Sequence, residues 1–211
     1  MAYAGIAIFV TQAEYDDNGY AARDLVADEL ATRLDNTNIS YDIVKASDTP
    51  SVSTQDPSCG SGLLNEWDRL INNQAVVPNT ADSHLLITNS TSTKGCGEVP
   101  GDACVFGAGP SLASASSIDE YGSGTEYYAF NGCCHEIFHN FNCNHKHGDN
   151  QFKTPSSKPD GYYVTPMLTG YKNKLCGQDN PCNNYIDCDN IEGHDAQWSD
   201  CAESQAETYL S

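Results

Sequence analysis

HEIFHNFNCNH, residues 135–145, places three of the six histidines of this 211-residue chain within one short stretch. The apolar spacing that leads into it, from Tyr127 to Phe141, predicts a long helix over residues 121–142. His135 and His139 are four residues apart, so on a helix they lie on one face, one turn apart. Both imidazoles can therefore reach a single metal ion.

His145 follows His139 by a spacing that a continuous helix could not bring to the same ion. The chain must turn back sharply between the two, and such a turn needs a residue with positive φ. Asn142 stands where that residue is needed, and asparagine is the best non-glycine residue for this conformation. The sequence thus predicts three imidazole ligands, from His135, His139 and His145.

Glu136 lies to the side of the histidine face, where its carboxylate can accept a proton from a metal-bound water without binding the metal. Zinc suits this set of residues, because it accepts three imidazoles and leaves a fourth position for water. The alternative is a solvated helix face whose histidines bind no metal. The presence of the third histidine, His145, disfavours this alternative. His147 is kept as an alternative ligand, and His194 has no assigned role.

The first half of the chain alternates strands and helices, which is typical of an α/β fold with a mixed sheet. Periodicity predicts strands at residues 4–10, 41–44 and 84–88, a weaker strand at 113–118, and helices at 20–34 and 63–71. Beyond residue 146 the chain is rich in Gly, Pro, Asn, Asp and Cys, until residues 199–210 recover a helical pattern. Because this part has little apolar surface to bury, we expect disulfides to hold it together.

The charge balance excludes several kinds of partner. Ten Lys and Arg against 29 Asp and Glu give a net charge of −19. So acidic a surface repels phosphate backbones and anionic lipids, and we expect neither nucleic acid nor a membrane as partner. No apolar run approaches the roughly 18 residues that a membrane-spanning helix needs. The length fits one domain, and we expect a monomer.

The ten cysteines, which run from Cys59 to Cys201, favour disulfides in an oxidising compartment over a cytosolic enzyme. The spacing of Cys176, Cys182 and Cys188 does not match the C-x₂₋₄-C pattern of structural zinc sites. The N-terminal residues read as a buried strand and not as a cleavable signal. We therefore expect this chain to be the mature form of a secreted, extracellular protein, without its signal or any pro-segment.

The pattern HExxHxxNxxH resembles the zinc-binding consensus of the metzincin metallopeptidases, HExxHxxGxxH, with Asn142 where the family usually has glycine. Metzincins also carry a methionine turn beneath the zinc site, and Met167 stands in a turn-like setting, TPMLTGY. Residues 64–68 with 82–88, and residues 198–202, resemble the adamalysin (reprolysin) branch. No role is assigned to Tyr171, because its spacing from Met167 is looser than the spacing found for the tyrosine that assists catalysis in some members.

The resemblance implies a zincin-like α/β fold within a single catalytic domain. A mixed twisted sheet and the active-site helix would form an N-terminal subdomain, residues 1–146, above a small irregular disulfide-rich subdomain, residues 147–211. The sheet edge that binds an extended peptide would be the strand His84-Leu85-Leu86-Ile87-Thr88. The resemblance also implies a disulfide between Cys104 and Cys201, where the residues alone leave about 945 complete pairings open.

Together these features predict a secreted zinc endopeptidase that acts on peptides or proteins with one catalytic Zn²⁺. Glu136 would activate the attacking water and return the proton to the leaving amine. The alternative is a non-catalytic, disulfide-stapled binding protein that has kept its zinc site. Glu136 distinguishes the two, because a protein that only binds has no use for a base at this position.

The acidic composition leads to a prediction about salt. Such an excess of acids is typical of proteins from very salty media, where counterions screen the self-repulsion of the fold. The alternative is an ordinary acidic secreted protein, with structural Ca²⁺ among the Asp-rich C-terminal loops. For a halophilic protein, the melting temperature rises between dilute buffer and molar NaCl. A melting temperature that stays constant or falls contradicts this interpretation.

Overall fold

The computed structural model describes residues 1–156, 158–170, 175, 177–182, 185–186 and 191–211. The strands are β1 (Tyr3–Val10), β2 (Ser40–Lys45), β3 (Ser83–Ile87), β4 (Gly95–Gly97), β5 (Ala103–Phe106), β6 (Tyr121–Gly122), β7 (Asn150–Lys153), β8 (Gly161–Val164) and β9 (Ile191–Asp195). The α-helices are α1 (Gln12–Asn18), α2 (Ala21–Leu34), α3 (Leu63–Asn72), α4 (Gly109–Ser114), α5 (Thr125–Asn140) and α6 (Asp200–Tyr209). Short 3₁₀ turns occupy His145–His147 and Pro166–Leu168.

The first sheet has the strand order β2-β1-β3-β5-β4, with β4 antiparallel to β5 and the other neighbours parallel. Side chains alternate between its two faces, as in any strand. Phe9 and Leu86 pack with Trp67 of α3 on one face. Ile8 and Leu85 pack on the other face in the core that includes α2 and α5. Because helices cover both faces at the centre of the sheet, β1 and β5 are almost continuously apolar, whereas the outer strand β2 is exposed or half-buried throughout.

Helix α5 carries the histidines and is buried on every side from Ala129 to Asn140. It packs against β4 and β5 of the first sheet and against the Pro166–Leu168 turn. A second sheet, with the order β6-β9-β8-β7, contacts the same helix through β9. The mixed α/β class with its central helix is therefore confirmed. None of the helices in the described ranges is long and apolar enough to cross a membrane.

Three element predictions need correction. Residues 113–118 form no strand, because Pro110 opens helix α4, which includes residues 113 and 114, and the chain then runs as a loop. Helix α5 is shorter than predicted, since Tyr121–Gly122 pair with β9 and the helix ends at Asn140. Helix α1 was not predicted, although the Thr11 side chain caps it by accepting a hydrogen bond from the Glu14 amide.

The predicted disulfide between Cys104 and Cys201 is wrong. Cys201, at the start of α6, is bonded to Cys182, and a second disulfide joins Cys59 to Cys96. Cys104 lies in β5 with both faces of the sheet covered, so its thiol is buried in the core and free. Three more buried free thiols belong to Cys133, Cys134 and Cys143. Cys176 and Cys188 lie outside the described residues.

The predicted substrate-binding edge strand is also wrong. Residues 83–87 form β3, which pairs with β1 on one side and β5 on the other, and every residue of β3 is buried. The outermost strand on this side is β4, a three-residue strand that contains Cys96. The continuous apolar run of β3 is a signature of a central parallel strand and not of an edge.

The buried carboxyl of Glu14 gives the stability of the fold a pH dependence. Burial raises the pKa of Glu14 to about 7, although Asn18 donates a hydrogen bond of 3.0 Å to it. The stability that depends on protonation of Glu14 is therefore fully present below about pH 4.5 and is lost as the pH rises through about 7. We expect Glu14→Gln to stabilise the protein at pH 8 by on the order of 1–3 kcal/mol and to have little effect at pH 4.

Thermal unfolding of this variant at both pH values, followed by circular dichroism, tests the expectation. Glu192→Gln is the control, since Glu192 is exposed to solvent. A Glu14→Gln effect that is equal at the two pH values would show that burial of the charge has no influence on stability.

Candidate metal centre

Three imidazoles converge at the end of helix α5. The ligand nitrogens of His135, His139 and His145 all lie within 4.8 Å of one another. The Nε2 atoms of His139 and His145 are 3.1 Å apart. Two nitrogens that share a tetrahedral zinc ion at about 2.05 Å lie roughly 3.3 Å apart, so the arrangement fits this ion without rearrangement of the backbone.

The reversal of the chain that brings His145 back is a Schellman motif at the end of α5. Asn142 has φ 62°, in the left-handed region, as predicted. Its amide donates to the carbonyl of His139 at 3.0 Å, and the Cys143 amide donates to Phe138 at 3.0 Å. These are the two hydrogen bonds that define this helix ending, and they satisfy carbonyls that the helix leaves free.

Backbone carbonyls orient two of the three rings. His135 Nδ1 lies 2.9 Å from the carbonyl oxygen of Pro166, and His139 Nδ1 lies 2.7 Å from that of Cys143. A hydrogen on Nδ1 that donates to a carbonyl leaves the lone pair on Nε2, which then points to the shared centre. Met167, the predicted methionine of the turn, follows Pro166 and is buried in the same core as α5.

Burial keeps His135 and His139 neutral. It lowers the pKa of His135 to about 3, with a further contribution from the neighbouring His139. The pKa of His139 is also lowered by burial. Neutral imidazole is the form that binds metal, so the histidines are ready to bind at physiological pH.

The carboxyl of Glu136 is buried beside the histidines, and burial raises its pKa to about 8. With His135 it lines a cavity of about 350 Å³ between α5, β4 and the loop after Met167. Other lining residues contribute hydroxyl groups, one cation and two aromatic rings: Ser58, Thr93, Lys94, Phe106, Tyr128 and Thr169. The predicted base and one predicted ligand therefore share a cavity large enough for a side chain.

The remaining predicted residues lie elsewhere. His147 Nδ1 accepts a hydrogen bond from the Asn144 amide at 3.0 Å, and His147 does not belong to the three-histidine group. His194 packs edge-on against Tyr128. Tyr171 lies outside the described residues, as do several aspartates of the C-terminal loops, so the calcium site stays a prediction.

The sequence motif gave no sign of the atoms that hold the histidines in place. Carbonyl oxygens of Pro166 and Cys143 can come from any residue type, so no pattern marks them. Gly95 and Gly97 of β4, which face Glu136, were also not singled out. The available signal was the pair of glycines around Cys96, since glycine inside a strand indicates a close approach to the backbone.

Comparisons with known proteins give a likeness in fold and none in sequence. No protein-family model and no curated protein matches the chain. An archaemetzincin from Methanopyrus kandleri is similar over 99% of this chain and 96% of its own, with 10% identity and a TM-score of 0.46. A structure described as a chaperone–substrate complex is similar over 99% of this chain and 34% of its own, with 10% identity and a TM-score of 0.50.

The left-handed conformation of Asn142 leads to a prediction about metal affinity. We expect Asn142→Gly to bind zinc as the parent does, because glycine adopts positive φ with less strain. Asn142→Val should bind zinc at least tenfold more weakly, since a β-branched residue disfavours this conformation and His145 is displaced. Competition with a chelator measures both affinities. Equal affinities in the two variants would contradict a role for this turn in placing His145.

Proposed function

We propose that this chain is a zinc-dependent endopeptidase of the metzincin type. The observation that carries the proposal is the convergence of three imidazoles, with the Nε2 atoms of His139 and His145 3.1 Å apart, beside the buried carboxyl of Glu136. A purely structural zinc site fills all four positions with protein ligands. Among the residues that the structure describes, three ligands converge here, which leaves one position open, and the base and His135 line one cavity.

In this proposal, His135, His139 and His145 would hold the zinc ion, which would supply Lewis acidity for the attacking water and the scissile carbonyl. Glu136 takes the proton of the attacking water and returns it to the leaving amine. Burying a carboxylate away from water costs free energy. A protein that only binds would gain nothing from that cost, which favours the enzyme over the non-catalytic alternative.

The free edge of β4 is the proposed binding site for an extended substrate. The Lys94 carbonyl and the Glu98 amide bond to β5, at Gly107 and Ala103. In an antiparallel pair, the backbone groups of alternate residues point towards the partner strand and those of the residues between them point away from it. The amides and carbonyls of Gly95 and Gly97 therefore face away from β5. A peptide that pairs with them lies across the cavity that Glu136 lines.

The proposal also covers the localisation, the assembly and the branch of the family. Two disulfides among the described residues suit an extracellular protein, and we propose that it is secreted. We also propose a monomer with subdomains at residues 1–146 and 147–211, and membership of the adamalysin branch. Residues 64–68 and the short terminal helix that follows residues 198–202 support that branch, whereas the central position of β3 and the Cys182–Cys201 disulfide depart from its pattern.

Separate variants can distinguish metal binding from catalysis. Glu136→Ala removes the base and none of the imidazoles, so zinc should stay near one per chain while peptide hydrolysis falls by about 10²–10⁴-fold. His145→Ala leaves two ligands on one helix, so zinc content and hydrolysis should fall together. Metal analysis of each purified variant, paired with a chelator-sensitive casein assay, measures both quantities.

Glu126→Ala is the matched control, because it makes the same substitution near the start of the same helix. We expect it to keep both zinc and activity. If Glu136→Ala keeps the parent rate, the proposed mechanism is wrong. If it loses zinc as His145→Ala does, Glu136 is a ligand and the site has been misassigned.

A further inference from the structure

We propose that Gly95 and Gly97 are positioning residues for Glu136, and that β4 orients the catalytic carboxylate by the absence of side chains. This inference rests on the proposed function, since it concerns the residue assigned as the base. It adds a role for a strand that the zinc motif does not include.

The two glycines share the face of β4 that packs on α5. Side chains alternate along a strand, so Gly95 and Gly97 face one way and Cys96 the other. Cys96 packs with Trp67 and Val105 on the side of the sheet that α3 covers. The glycine face therefore meets α5, where Glu136 lies.

The space that the glycines leave is filled by Glu136. A Cβ atom on Gly95 would lie 2.6 Å from Glu136 Oε1 and 2.7 Å from its Cγ. A Cβ atom on Gly97 would lie 3.1 Å from Oε2 and 2.9 Å from the carbonyl oxygen of Glu136. Both carboxylate oxygens are thus in contact with the strand, and a methyl group at Gly95 would displace the carboxylate.

An aromatic ring borders the same space. The Cβ of an alanine at Gly95 would also lie 2.5 Å from the ring of Phe106. That ring packs in turn against Gly132 of α5, where an added Cβ would lie 2.1 Å from it. Gly95, Gly97, Phe106 and Gly132 therefore limit the positions that the Glu136 side chain can adopt.

The strand itself is held in place on one side by β5 and by a covalent bond. β4 has three residues and, among the described strands, pairs with β5 alone, so little of its own hydrogen bonding fixes it. The disulfide between Cys59 and Cys96 ties it to the loop before α3, and Cys59 lines the cavity beside Glu136. A fixed strand without side chains keeps the carboxylate in one orientation, which proton transfer requires.

Gly95→Ala tests the inference in the zinc-loaded protein. We expect kcat to fall by about a hundredfold, because a displacement of roughly 1 Å has this effect on a catalytic group. The KM should change little, since the added methyl faces α5 and leaves the outward amide and carbonyl free. Zinc should stay near one per chain. The control is Gly5→Ala in β1, whose added Cβ would lie 3.4 Å from Asp82 Oδ2, an ordinary contact.

A second measurement needs neither metal nor substrate. In the metal-free protein, Gly95→Ala should lower the melting temperature, and the loss should be smaller when Glu136 is already alanine. This double-mutant cycle isolates the contact between the two residues from the general effect of a methyl group in the strand. Equal losses in the two backgrounds would overturn the inference.

The outcomes separate this inference from the proposed function. If Glu136→Ala abolishes hydrolysis but Gly95→Ala matches Gly5→Ala in rate, the enzyme is supported and the positioning role is wrong. If Glu136→Ala keeps full activity, the proposed function fails. The metal-free melting temperatures still report whether Gly95 and Glu136 are in contact.

Discussion

The reversal of the chain at Asn142 is the constraint on which the metal centre depends. A helix can bring two imidazoles to one ion, but the third must come from outside it. The Schellman motif allows His145 to return to within 3.1 Å of His139, and it does so with backbone hydrogen bonds alone. The His139 carbonyl accepts one of them, so the same residue is a predicted ligand and part of the turn.

Burial of α5 explains why so many backbone groups surround the centre. The helix lies between the first sheet and the Pro166–Leu168 turn, where polar side chains need partners because water is excluded. The carbonyls of Pro166 and Cys143 satisfy His135 and His139, and in doing so orient their free nitrogens. The packing that stabilises the fold and the geometry of the proposed metal centre are therefore achieved by the same contacts.

Much of the fold and of the centre could be predicted from the sequence because the signals are local. The periodicity of α2, α3 and β1, the spacing of the histidines and the positive φ of Asn142 all involve residues close in the chain. Apart from the local errors at residues 113–118, at the ends of α5 and at α1, the errors concern long-range pairing. The apolar run of β3 indicates burial but not which strands flank it, and the position of β4 at the edge depends on a strand order that periodicity cannot provide. The pairing of Cys182 with Cys201 likewise depends on how the C-terminal segment packs.

The four buried thiols make the order of oxidative folding important. Cys104, Cys133, Cys134 and Cys143 all lie in the core between the first sheet and its helices. Thiol–disulfide exchange needs an accessible thiolate, and burial raises the pKa of Cys143 to about 12. Once the core has formed, these thiols are buried and can no longer take part in thiol–disulfide exchange. An unfolded chain that meets an oxidant first can instead bond any of them to Cys59 or Cys201, so collapse before oxidation selects the native disulfides.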